Sequence, residues 1–187
     1  AATSYSTNQY PMIPFYIYYS MFGFQRTGDL AWAAGDMQAR GFILGATAGR
    51  TTLAGEGLQH QDGHNLLFFS VVPNCVAYDP CFGYELAVII QDGLRRMMQD
   101  QENVFYYLTL MNENYIHPAL SEANKEGIIK GMYLLSEIKP SKRHVQLLGS
   151  GTILNEVIAA AELLKTDFGV SADIWSVTSF SELRKQA

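Results

Sequence analysis

Short apolar runs that alternate with segments of helical periodicity most limit what this chain folds into. In the clearest cycle, the apolar run Val71–Tyr78 is followed by Phe82–Met98, in which apolar residues recur at helical spacing. A second apolar and aromatic run, Val104–Leu110, closes the cycle. Strands that are joined by helices pair in parallel, because the helix carries the chain back across the sheet. The predicted fold class is therefore α/β, with parallel sheets and crossover helices.

The same alternation extends to both sides of this cycle. Asp79-Pro80 is predicted to begin the helix after Tyr78, with aspartate as N-cap and proline at the first helical position. Ser179 and Glu182 have the spacing of a capping box near the end of the chain. The remaining predicted elements are a buried strand at Phe15–Tyr19, a helix at Met21–Arg40, a strand at Phe42–Thr47, a helix from Ser121 to Tyr133, a strand at His144–Leu148, a helix at Thr152–Phe168 and a strand at Ala172–Val177.

A connector with lysine and proline, Ile138–Arg143, interrupts this pattern before it restarts. We interpret it as a domain boundary, so that residues 1–138 form one domain and residues 139–187 begin another. The chain opens with Ala1-Ala2-Thr3 and has no initiating methionine. We therefore expect it to be an internal piece of a longer protein.

Composition argues against several classes of function. The formal net charge is −5, and the only basic cluster is Lys139, Lys142 and Arg143, so nucleic-acid binding has little support. No apolar run approaches the roughly 20 residues that a membrane span needs. Cys75 and Cys81 match no zinc or redox spacing, and we interpret both as reduced thiols of a cytoplasmic protein.

The loop Gly55–His64 concentrates the residues best suited to chemistry, namely Glu56, His60, Asp62 and His64. The two histidines are four positions apart, as in a zinc helix, but an Asp-Gly turn signal lies between them and no glutamate follows His60. The glycine pattern of this loop matches that of a phosphate-binding loop only weakly. Acid–base catalysis and purely structural histidines both remain open on spacing alone.

Several sequence blocks carry a more specific signal. They are IPFYIYYSMFGFQRTGD at Ile13–Asp29, WAAGD at Trp32–Asp36, GRTTLAGEGLQHQD at Gly49–Asp62, YDP at Tyr78–Pro80 and LMNENY at Leu110–Tyr115. Together they resemble the homodimeric, bacterial-type pyruvate dehydrogenase first component, a thiamine-diphosphate enzyme of the transketolase-like superfamily. The resemblance implies that residues 1–138 are the later part of a pyrimidine-binding domain. Residues 139–187 would begin a transketolase C-terminal-like domain.

The resemblance also implies roles for individual residues. Phe22 would stack on the aminopyrimidine ring of the cofactor, with Tyr19 and Arg26 beside it. His60 would bind the pyruvate carboxylate or transfer protons, and Glu56 would support it. Tyr19 would also donate a hydrogen bond to the developing oxyanion. Asp62 and His64 are candidates for supporting positions only, and Gln61 and Asn65 are interpreted as ordinary variation within the motif.

The implied activity is oxidative decarboxylation of pyruvate, with reductive acetylation of a lipoyl group on the dihydrolipoyl acetyltransferase component. The implied cofactors are thiamine diphosphate and Mg²⁺, with the metal ligands outside this chain, and the implied assembly is a homodimer. We therefore expect the chain alone to be inactive. A transketolase-type ketol transferase and a non-catalytic interaction module are the alternatives.

Overall fold

The computed structural model describes residues 9–46, 48 and 60–187. Its first sheet has four parallel strands in the order β1-β2-β4-β3. These strands are β1 (Phe15–Tyr19), β2 (Phe42–Ala46), β3 (Cys75–Tyr78) and β4 (Phe105–Thr109). The helices that accompany them are α1 (Ser20–Asp36), α2 (Asn65–Phe69) and α3 (Gly83–Leu94), which continues into a π-helical turn at Arg95–Gln99.

The second sheet has three strands in the order β5-β7-β6. They are β5 (Met132–Ser136), β6 (His144–Gly149) and β7 (Ser171–Val177). Helix α5 (Ile153–Phe168) joins β6 to β7, which are parallel, whereas β5 runs antiparallel to β7. Before β5 come a 3₁₀ turn (Glu122–Asn124) and α4 (Lys125–Lys130), and after β7 comes α6 (Phe180–Gln186). The predicted alternation of strands and helices is confirmed.

Strand β4 lies inside the first sheet, and every one of its residues is buried. Its side chains alternate between the two faces, as a pleated strand requires. Tyr106 and Leu108 pack into one core cluster, while Phe105 and Tyr107 pack into another with helix residues Ala31 and Phe69. A central strand covered on both faces explains the nearly continuous apolar run in the sequence.

The prediction that Phe15–Tyr19 is a buried strand was right about the strand and wrong about its burial. Phe15, Tyr16 and Ile17 are 47%, 55% and 61% exposed. One reason is position, because β1 is an edge strand and pairs only with β2 among the described residues, whereas β3 at the other edge is buried where α2 and α6 pack on it. An apolar run predicts an extended segment, but the run itself does not say what covers it.

The predicted N-cap at Asp79 was also wrong. Helix α3 begins at Gly83, and the buried Asp79 carboxylate instead accepts hydrogen bonds from Thr109 Oγ1 (2.5 Å) and Ser150 Oγ (2.8 Å). The backbone N–H of Gly151 donates to the Asp79 carbonyl at 3.1 Å. Asp79 therefore ties the end of β3 to the turn between β6 and α5, and so joins the two sheets.

The predicted helix from Ser121 to Tyr133 ends early. Helix α4 stops at Lys130, and Gly131 takes a left-handed conformation with φ of 104°. A Cβ atom there would lie 2.5 Å from the Ser179 carbonyl oxygen, so the close approach needs glycine. Tyr133 consequently belongs to β5, which pairs in the second sheet although it precedes the predicted boundary. The division at residues 138 and 139 stays a prediction.

Both cysteines are free and buried, which agrees with the prediction of reduced thiols. Burial raises the pKa of the Cys81 thiol to about 12 and raises that of Cys75 as well, so neither is a ready nucleophile. The Ser179 hydroxyl accepts from the Glu182 N–H at 3.2 Å, so Ser179 is the N-cap of the last helix, which is one half of the predicted capping box. No helix in the described ranges is long and apolar enough to cross a membrane.

The Asp173 carboxylate on β7 gives a pH-dependent prediction. It accepts hydrogen bonds from Ile138 N (3.0 Å), Gln146 Nε2 (2.7 Å) and His144 Nε2 (2.9 Å), and these donors lower its pKa to about 2. A carboxyl group with a lowered pKa stabilises the fold above its unfolded pKa of about 4, and that stabilisation is lost as the pH falls through about 2.

We expect Asp173→Asn to be less stable than the wild type at pH 6, with a difference that shrinks as the pH falls from about 4 toward 2. Urea unfolding at a series of pH values measures this difference. Asp167→Asn, at an exposed position near the end of α5, is the matched control and should differ little from the wild type at any pH. A difference between Asp173→Asn and the wild type that stays constant down to pH 2 would contradict the prediction.

Candidate active site

The candidate site lies where β1 ends and α1 begins. In parallel α/β sheets, ligands bind at the carboxyl ends of the strands, where loops and helix starts converge. Tyr19 is the last residue of β1, has an extended backbone and is the N-cap residue of α1. Phe22 follows in the first turn of that helix, so the strand-to-helix junction places both aromatic rings at this edge.

The imidazole of His60 completes an aromatic cluster with these two rings. The Tyr19 and Phe22 ring centroids lie 5.7 Å apart at an interplanar angle of 26°. His60 meets both edge-on, with centroids 5.6 Å from Tyr19 and 5.9 Å from Phe22. The Tyr19 hydroxyl oxygen lies 2.5 Å from His60 Nδ1. Residues from a strand, a helix and a distant loop therefore converge on one point.

Arg26 joins the same cluster from one helical turn further along α1. Its guanidinium carbon lies 5.1 Å from the centroid of the Phe22 ring, which is within the range of a cation–π contact. The spacing of four residues puts the two side chains on the same face of the helix. Arg26 is exposed, so it gives the rim of the site a positive charge beside the aromatic rings.

The segment that carries His60 is anchored to the start of α1. The Asp62 carboxylate, which is only 3% exposed, accepts from the backbone N–H groups of His64 (3.2 Å) and Asn65 (3.3 Å). The Asn65 side-chain amide donates to the Ser20 carbonyl, and His64 Nε2 lies 3.1 Å from the carbonyl oxygen of Met21. Asp62 and His64 thus act here on the backbone of the loop and of the helix.

Asn65 is a residue whose importance the sequence did not reveal. It is completely buried, and its amide contacts a helix start 45 positions earlier in the chain. The available signal was an Asp followed two and three positions later by the residues whose N–H groups it binds, which is the pattern of an Asx turn. That pattern predicts the turn but not the partner of the asparagine.

The four predicted residues Tyr19, Phe22, Arg26 and His60 are brought together, whereas Glu56 lies outside the described residues. Together they offer aromatic surface, a hydroxyl and an imidazole, which are the kinds of group that bind flat heterocycles. Within the described ranges, no group of three or more His, Cys, Asp or Glu side chains is placed to hold a metal ion.

Two known protein families match nearly the whole chain. Residues 1–118 match the family described as pyruvate dehydrogenase E1 component middle domain, and residues 131–187 match the transketolase-like TK C-terminal domain. The pyruvate dehydrogenase E1 component of Pseudomonas aeruginosa is 65% identical over 186 residues, covering 99% of this chain and 21% of that protein. The corresponding protein of Escherichia coli K12 is 63% identical, with the same coverage of 99% and 21%. The chain thus spans about one fifth of the length of these relatives.

A solved structure shows the fold independently of sequence. Transketolase from Campylobacter jejuni superposes with a TM-score of 0.68, covering 94% of this chain and 26% of that one at 21% identity. At this identity the likeness concerns the fold alone. The predicted α/β class, with a transketolase-like arrangement, is confirmed.

Proposed function

The chain belongs to the pyruvate dehydrogenase E1 component family, and on that premise we propose that it forms part of an enzyme that oxidatively decarboxylates pyruvate with thiamine diphosphate. The observation that carries the proposal is the contact of Tyr19, Phe22 and His60 at the carboxyl end of β1. After CO₂ has left, the remaining two-carbon unit would pass to a lipoyl group on the dihydrolipoyl acetyltransferase component. The unit would be oxidised to the acetyl level in this transfer, and the lipoyl disulfide would be reduced to one S-acetyl group and one free thiol.

Each residue of the cluster has a place in this proposal. Phe22 offers its ring to the aminopyrimidine of the cofactor, and Arg26 supplies positive charge at the rim. When bound, thiamine diphosphate would supply a nucleophilic carbon and an electron sink for the decarboxylation. His60 binds the pyruvate carboxylate or moves protons at the substrate oxygen. Glu56 stays a proposed supporting carboxylate.

Other parts of the assembly are proposed from the family alone. They are Mg²⁺ bound by ligands outside this chain, a homodimer, and a cytoplasmic location. The dimer matters for the site because the cofactor would lie between two subunits. This chain would supply the residues around its pyrimidine ring, and a domain of the other subunit would supply those around its diphosphate. A ketol transferase has no support beyond a shared fold, and an interaction module does not call for an aromatic cluster around a histidine.

The direct test uses the full-length protein with pyruvate, Mg²⁺ and an artificial electron acceptor, with and without thiamine diphosphate. We expect reduction of the acceptor only when the cofactor is present. Turnover of a ketose phosphate in place of pyruvate would contradict the proposed substrate. Absence of turnover with every oxo acid and ketose tested would leave only the interaction module.

Phe22→Ala in the full-length enzyme should weaken cofactor binding. The change removes a stacking surface worth about 1–2 kcal/mol, so the half-saturating concentration of thiamine diphosphate should rise by roughly 5- to 30-fold. Cofactor titration of activity measures this value. Phe168→Ala removes an exposed phenylalanine at the end of α5 and is the matched control. Equal cofactor affinity in Phe22→Ala and the control would rule out the stacking role.

A further inference from the structure

The hydrogen bond between Tyr19 and His60 defines which imidazole nitrogen faces the site. The Tyr19 hydroxyl oxygen lies 2.5 Å from Nδ1 of His60. With the Tyr19 hydroxyl as donor and His60 Nδ1 as acceptor, the ring proton lies on Nε2. Nε2 is then the nitrogen available to a substrate. A partner on one ring nitrogen is a common way to set the tautomer and orientation of a working histidine.

Tyr19 is itself held in place by regular structure. It ends β1, which pairs with β2 from Phe15 to Tyr19, and its ring stacks against Phe22 in the first turn of α1. The backbone after His60 is tied to that same helix start through Asn65 and Ser20. The tyrosine and the histidine are thus fixed to one rigid junction, so a hydroxyl on Tyr19 can orient the imidazole with little loss of freedom.

We infer that Tyr19 is a positioning residue that acts on the reaction through His60. Its hydroxyl holds the imidazole so that Nε2 points toward the substrate, in place of the predicted donation from Tyr19 to the oxyanion. The inference rests on the proposed function, because it needs a reaction in which His60 takes part. It assigns Tyr19 and His60 to one functional pair, and that assignment is tested once pyruvate turnover by the wild type has been established.

The test is a double-mutant cycle in the full-length enzyme with thiamine diphosphate and pyruvate. Tyr19→Phe keeps the ring that stacks on Phe22 and removes only the hydroxyl. We expect it to lower kcat by roughly 10- to 100-fold, with the KM for pyruvate and the cofactor half-saturation nearly unchanged. In the double variant Tyr19→Phe/His60→Ala, kcat should equal that of His60→Ala alone, because the hydroxyl has lost the group through which it acts.

Other outcomes would overturn the inference. If the double variant falls below His60→Ala by the full Tyr19→Phe factor, the hydroxyl acts on substrate or cofactor independently of His60. A Tyr19→Phe variant with wild-type kcat would remove any role for the hydroxyl. If His60→Ala does not fold, His60→Gln replaces it in the same cycle. Labelled CO₂ release from labelled pyruvate gives the sensitivity that the slow variants need.

A control variant and the activity of the wild type distinguish failure of the proposed function from failure of the inference about Tyr19. Tyr16→Phe removes a hydroxyl from an exposed tyrosine on the same strand and should leave kcat at the wild-type value. If the wild-type enzyme does not turn over pyruvate, the proposed function has failed. If the wild type turns over pyruvate but the losses in the cycle are multiplicative, only the inference about Tyr19 has failed.

Discussion

The His60→Ala variant of the full-length enzyme is expected to turn over pyruvate about 100- to 10,000-fold more slowly than the wild type at saturating cofactor. An imidazole can accept a proton on one ring nitrogen and donate one from the other, and the Nδ1 of His60 is already engaged by Tyr19. Phe22 and Arg26 remain in the variant, so the half-saturating concentration of thiamine diphosphate should change much less than kcat. Steady-state reduction of an artificial acceptor, with cofactor and pyruvate varied in turn, separates the two effects.

The matched control for this prediction is His144→Ala. His144 lies in the second sheet, where its imidazole is hydrogen-bonded to Asp173 and Ser171. The His144→Ala variant therefore loses an imidazole that lies outside the cluster. We expect its kcat to stay within about twofold of the wild type. A His60→Ala enzyme with kcat equal to that of His144→Ala would show that His60 has no part in the reaction.

The second large effect is expected from Glu85, a side chain that is 0% exposed. Its carboxyl oxygens accept from the N–H groups of Cys81 (2.6 Å) and Phe82 (3.0 Å) at the start of α3, and from the hydroxyls of Tyr133 (2.7 Å) and Ser176 (2.6 Å). Burial raises the pKa of Tyr133, and the neighbouring Glu85 carboxyl raises it further, so this tyrosine stays a donor. The Glu85 side chain therefore caps helix α3, which packs with the first sheet, and forms hydrogen bonds to two strands of the second sheet.

Glu85→Ala should lower the free energy of unfolding by at least about 3 kcal/mol. The substitution leaves several buried donors without an acceptor, each at a cost of about 1–3 kcal/mol, and also opens a cavity between the sheets. Glu85→Gln should recover part of the loss, because it keeps the volume and one acceptor oxygen. Urea unfolding followed by circular dichroism measures all three proteins.

An exposed glutamate provides the comparison. Glu156→Ala on α5 removes a similar side chain from the surface and should stay within about 0.5 kcal/mol of the wild type. If Glu85→Ala unfolds at the same urea concentration as Glu156→Ala, the hydrogen bonds to the second sheet do not stabilise the fold. If Glu85→Gln is less stable than Glu85→Ala, the buried amide is worse than a cavity, and hydrogen bonding through its oxygen is not what the site requires.

The errors in the sequence-based predictions share one physical origin. Asp79 has the local signature of a helix cap, yet its carboxylate binds Thr109 and Ser150, which lie 30 and 71 positions away. Tyr133 follows a helical segment, yet Gly131 ends that segment and the tyrosine enters a sheet. Local propensities are worth tenths of a kilocalorie per residue, so a buried hydrogen bond or a strand pairing outweighs them.

The sequence by itself predicted the alternation of strands and helices, although not α2 or β5, because a periodicity of two or 3.6 residues is a local property that burial imposes on each segment. Its motif blocks also identified the family and pointed to Phe22 and His60. Only the tertiary structure decided that β1 is an exposed edge, that β5 runs antiparallel, and that the Tyr19 hydroxyl meets His60 across 41 positions. These features depend on which distant segments pack together, and no local pattern specifies that choice.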